Sequence, residues 1–178
     1  MSNLRLYSPF PMFFKGLSIT LLFLLFGNFL FAQSDTLADK ELISIFRKII
    51  RTDQKHVRNN TKRDPIILRN FDIIVSITEK QGFPQLRQEY RSKKKNNLIS
   101  QGAFLTFIHV LQTKPEDLLN ESIINLFKTE ISSGRLEKSI LRNAMNIYLK
   151  TAYYKPWLID NKDLFDFAYR EWDLGNAE

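Results

Sequence analysis

The chain has 178 residues, with 26 Lys and Arg against 19 Asp and Glu for a formal net charge of +7, and no cysteine. The missing thiol excludes disulfides, thiol catalysis, thiolate metal sites and a lipidated cysteine together. Six glycines leave little material for a phosphate-cradling loop, and no Gly-x-Ser-x-Gly or His-Glu-x-x-His segment occurs.

Arg5 and Lys15 lead into an apolar run from Leu17 to Ala32, with no acid before Asp35. A positive leader, an apolar core and a small residue at the exit predict a secretory signal peptide, cut after Ala32. A spanning helix needs roughly 20 apolar residues, and this run is shorter and broken by Gly27 and Asn28. The reading is therefore export, to the periplasm or beyond, with no stable membrane span after cleavage.

Residues 33–178 then form one ordinary domain of 146 residues with a net charge of +5. Its charge is uneven: residues 33–95 carry +7 and residues 96–178 carry −2. A basic exported domain favours an anionic envelope ligand or partner, although a charge of this size also serves solubility alone. Nucleic acid is excluded by compartment rather than by charge.

The elements follow in chain order. Thr36-Leu-Ala-Asp39 reads as a capping-box variant. Leu42, Ile43, Phe46, Ile49, Ile50 and Val57 then fall at helical spacing, which predicts a helix over 37–58. Asp64-Pro65 starts a second helix, with Asp as cap, and Gly82-Phe-Pro84 stops it. The β-branched run Ile73–Ile77 suits a strand by propensity, but the start and stop signals favour the helix. Residues 85–97 are polar and basic, ending near Lys93, Lys94 and Lys95, and read as an anion grip or a solvated surface.

Leu98–Leu111 is apolar on nearly all sides, which places that helix at the centre of a bundle. Thr113-Lys-Pro-Glu116 reads as a capping box opening a helix that runs to Ser133-Gly134. Another helix is expected over 135–152, and a last one over Asp163–Trp172. The aromatic-rich tail, from Tyr153 to Trp172, suits core packing or stacking on sugar rings. The sum is an all-α fold, a single bundle of five or six helices.

A few polar residues break the pattern. Asp53 and Gln54 stand where the first helix calls for apolar side chains, and a carboxylate there needs partners. With Arg58 they would line a polar pocket, or else the helix end leaves the core and they are solvated. His109 sits between Ile108 and Val110 in the central apolar helix, as a base, a ligand or a hydrogen-bonded core residue. Asp53, His56 and His109 lack any recognised metal-ligand spacing, so neither a metal nor another cofactor is expected.

On these residues the chain resembles a family of uncharacterised bacterial domains, the domain of unknown function 6624. Asp53-Gln54-Lys-His56-Val-Arg58 is similar to its Asp-Gln-x-x-Arg segment with one residue added, and Gly82-Phe-Pro84 to its Gly-x-Pro. Gly102 and His109 fall on its central helix, with Ile108 where that family has Gln. The resemblance implies an exported helical domain with a polar cluster around Asp53, Gln54 and His109, and no particular reaction.

Two functions are expected from these readings. The first is a non-catalytic binding or interaction module of the cell envelope. The second is a hydrolase-like enzyme with Asp53 and His109 as an acid–base pair and Gln54 and Arg58 placing an anionic substrate. A third is a stress or inhibitor protein that docks a partner through the basic stretch 87–95, with Lys93, Lys94 and Lys95. The enzyme requires Asp53 and His109, 56 residues apart, to converge.

Overall fold

Burying one apolar face of several amphipathic helices requires a central helix that is apolar all round, and the structure has that layout. The computed structural model describes residues 37–57, 63–86, 92–152 and 156–175, and residues 37–178 form one compact unit. The expected signal segment lies outside the described residues. In chain order the helices are α1 (Asp39–Val57), α2 (Arg63–Gln81), α3 (Lys93–Thr113), α4 (Pro115–Leu118), α5 (Glu121–Ser132), α6 (Lys138–Ala152), α7 (Pro156–Asp160) and α8 (Lys162–Glu171). Among the described residues there is no strand, so the fold is all-α.

Helix α3 is the hub, packed on α1, α2 and α6. Its residues Ala103, Phe107, Val110 and Leu111 are fully buried. An aromatic chain runs across the core from α2 to the C-terminal end. Phe71 meets Phe107 at 6.4 Å, Phe107 meets Phe127 at 5.1 Å, and Phe127 meets Trp172 at 6.4 Å, all tilted or edge-on. Such geometries suit the ring quadrupoles. Trp172 also donates its indole N–H to the carbonyl of Ile124 at 2.9 Å. Phe165, Tyr169 and Trp172 are core residues, so the described part of the aromatic tail packs inward; Tyr153 and Tyr154 lie outside the described residues.

Several sequence expectations are corrected. The run Ile73–Ile77 is helical throughout, because it lies inside α2 with Ile74 and Ile77 in the core. Asp64 is not a cap but lies in the first turn of α2, where its charge still suits the helix dipole. Ala38 supplies the first helical carbonyl of α1 and Asp39 is its first residue, while Thr36 of the expected capping box lies outside the described residues.

Helix α3 starts at Lys93, five residues before the expected Leu98. The Ser92 side chain caps it by accepting from the Lys95 N–H at 3.3 Å. Three lysines in a first turn oppose the dipole, which hid this start. The helix expected from Thr113 to Ser132 is two helices. Lys114, not Thr113, stands at the α4 cap position and makes no side-chain capping bond. Asn120 then accepts from the Ile123 N–H at 3.0 Å and opens α5. A capping amide carbonyl competes with the helical backbone, which is why the run splits there. Among the described residues six helices have ten residues or more, and α4 and α7 are single turns besides.

Candidate functional site

Helices α1 and α3 run parallel. The ring of Phe46 lies against Gly102, where an added Cβ would stand 2.7 Å from Phe46 Cδ1. Seven residues further along each helix, Asp53 meets His109. Seven residues are close to two helical turns, so both contacts lie on one seam. The missing side chain at Gly102 lets the helices approach closely enough for the polar pair to form. Helix α2 runs antiparallel beside α1: Leu37 N–H bonds Gln81 at one end, and Asn70 approaches Thr52 at the other.

His109 Nδ1 lies 2.7 Å from Asp53 Oδ1. The side chain of Asp53 is 1% exposed and that of His109 12%. An ionised carboxylate only accepts hydrogen bonds, so beside one a neutral ring carries its proton on Nδ1 and has Nε2 as an acceptor. Asp53 Oδ2 is buried with no hydrogen-bond partner among the described residues. An orphaned buried oxygen carries a desolvation cost of about 1–3 kcal/mol. The neighbouring Thr106 is satisfied within its own helix, donating to Gly102 O at 2.8 Å.

The other expected site residues do not gather here. Gln54 is exposed, because one step along a helix turns the side chain about 100° away from Asp53. The pocket wall expected of it is not formed. Arg58 and the side chain of His56 lie outside the described residues. Lys94 is exposed, Lys95 is half-buried, and the Lys93 side chain is outside the description. This basic turn opens α3, about 21 Å along the axis from His109 at 1.5 Å per residue. It cannot belong to the Asp53–His109 site. Among the described residues no group of three or more His, Asp or Glu could hold a metal ion. No helix among them is long and apolar enough to cross a membrane.

Sequence reasoning passes over a second buried carboxylate. Glu130 is 3% exposed and accepts from the Phe83 N–H at 2.7 Å, from Arg135 Nε at 2.6 Å and from Arg135 Nη2 at 2.8 Å. Arg135 above all, then the Phe83 N–H, holds this carboxyl below the usual carboxylate range. The Gly82-Phe-Pro84 segment is thereby a docking turn between α2 and the end of α5. Gly82 takes a left-handed φ of 84°, and its bare α-carbon makes room for the Arg135 side chain. A half-open cleft of about 220 Å³ beside it is lined by Pro84, Leu86, Ile99, Ser100, Arg135 and Ile140. The only sequence signal was Glu130 lying three residues after Phe127 on the core stripe.

Comparison with known proteins gives no relative. No family model, curated protein or solved structure matches the chain. The site must therefore be read from its own geometry.

Proposed function

We propose that this chain is an exported helical module of the bacterial cell envelope that binds a ligand or partner, without catalysis, at the Asp53–His109 pair. One observation carries the reading. A buried carboxylate sits on a helix seam that packing would fill with apolar residues, and one of its oxygens has no partner among the described residues. Folds keep such costs where function requires them. The half-shielded imidazole would offer Nε2 to a hydrogen-bonding group of the ligand. Export rests on the leader composition of residues 1–32, and kinship with the domain of unknown function 6624 on the Asp53-Gln54 and His109 segments.

A specific feature favours the second reading as well. Asp53 holds the Nδ1 edge of His109, the arrangement in which a histidine acts as general base through Nε2. With no cysteine in the chain, the group it activates would be a hydroxyl or water rather than a thiol.

The test is the melting temperature of the protein against its Asp53→Asn variant. A site residue held at a cost predicts a melting point that holds or rises. A fall of about 5 °C or more would make the pair a structural brace and remove both readings.

A further inference from the structure

Away from the Asp53–His109 seam, the outer face of α1 is strongly unbalanced in charge among the described residues. Lys40, Arg47, Lys48, Arg51 and Lys55 are all exposed. At 100° per residue they fall, with the small exposed Ser44 among them, inside an arc of about 100°. From Lys40 to Lys55 the stripe extends roughly 22 Å along the helix. Glu41, at its edge, is the one exposed acid of α1. None of the five cations has an ion pair among the described residues, whereas Lys114, Lys128, Lys138 and Lys162 all have one.

The stripe is also self-repelling. Arg47 and Arg51, then Arg51 and Lys55, are like-charged pairs at i,i+4, and Lys48 and Arg51 one at i,i+3; such pairs destabilise a helix. From Arg47 to Lys55 successive cations are no more than about 6 Å apart along the axis, within a Debye length of about 8 Å at physiological salt. A face that only needed solubility would interleave acids, as the exposed face of α2 does with Asp64, Arg69, Asp72, Glu79 and Lys80.

We infer that the outer face of α1 binds a linear acidic polysaccharide laid along the helix. The shape of the charge selects this partner. The stripe is one helix wide and roughly 22 Å long, which suits a linear chain of charges better than the plane of an anionic membrane. It carries no exposed large apolar side chain to enter a lipid surface or to form the apolar centre of a protein interface. Arg47 and Arg51 present guanidinium forks that match carboxylates bidentately. Each carboxylate that replaces counterions relieves part of the repulsion within the helix.

The experiment measures binding of the protein to polygalacturonate, a linear carboxylated polysaccharide, over a salt series. Vesicles rich in phosphatidylglycerol and poly-glutamate serve as the other two probes. The triple variant Arg47→Gln, Lys48→Gln, Arg51→Gln is compared with Lys80→Gln, Lys150→Gln, Arg170→Gln, which removes the same charge from exposed positions elsewhere. Binding to polygalacturonate should weaken steeply as salt rises from about 50 to about 200 mM. The stripe variant should lose about tenfold or more in affinity and the control variant much less. The stripe variant should keep or raise the melting temperature, since it removes repulsion. Equal losses in both variants, or no polygalacturonate binding at low salt, would overturn the inference. Tighter binding to the vesicles or to poly-glutamate at equal charge would overturn it in favour of a membrane or a protein.

Discussion

Replacing Glu130 by Gln probes the docking turn at one atom. The carboxylate accepts three hydrogen bonds from Phe83 and Arg135. A Gln carbonyl can keep the Phe83 bond, but its NH2 group then faces a guanidinium, donor against donor. Hydrogen bonds involving a charged group are worth about 1.5–3 kcal/mol each. Arg135 is 41% exposed and regains water, so the charged fork is discounted and a total of about 2 kcal/mol is expected. For a domain of this size that lowers the melting temperature by roughly 4–8 °C. The pH dependence has a definite sign. Because the folded carboxyl titrates below its ordinary value of 4.5, its contribution is complete above about 4.5 and is lost as pH falls through the folded value. Thermal melts at pH 7 should show the gap, and melts near pH 3 should show it shrinking, since protonated Glu resembles Gln. A gap under about 1 °C at pH 7, or an undiminished gap in acid, would refute the reasoning.

Three further substitutions follow from the packing. Gly82→Ala forces a left-handed φ on a side chain that would stand 2.6 Å from Arg135 Nε, whereas Gly134 has a similar φ but open space around it. Melts should show Gly134→Ala costing about 1 kcal/mol and Gly82→Ala clearly more; equal costs would contradict the close approach. Gly102→Ala pushes a methyl to 2.7 Å from the Phe46 ring. It should cost about 1–3 kcal/mol in denaturant unfolding, and a neutral result would deny the tight α1–α3 seam. Trp172→Phe keeps most of the ring packing but leaves the Ile124 carbonyl without its indole donor. A loss of about 1–3 kcal/mol is expected in the same assay.

The architecture was legible where apolar spacing and turn chemistry agreed. The all-round apolar Leu98–Leu111 segment is indeed the central helix, and Gly82 and Gly134 end their helices with positive φ. Helix starts were less legible, because they depend on competition between side chains and backbone. Ser92 caps α3 despite three following lysines, and Asn120 cuts one apolar run into two helices. In the site, Asp53 and His109 were singled out as misplaced polar residues, and they are hydrogen-bonded partners. The family resemblance grouped them, but neither helical spacing nor any local motif pairs them across 56 residues. The pairing follows from the parallel α1–α3 register anchored at Gly102. Gln54 shows the converse limit: adjacency in sequence placed it with Asp53, and helical rotation turns it to solvent. Glu130 and Arg135 went unremarked in the sequence, since only tertiary contact with the Phe83 N–H reveals their role.

The central claim is that Asp53 fixes His109 with its proton on Nδ1 and Nε2 free to receive a ligand. The chain holds only two histidines, so the imidazole nitrogens are resolvable by 15N NMR in the protein and in its His56→Gln variant. The account predicts His109 in the Nδ1–H form, changing toward the Nε2–H form in Asp53→Ala, which removes the acceptor facing Nδ1. A His109 that is already Nε2–H, or that ignores the Asp53 substitution, would contradict it.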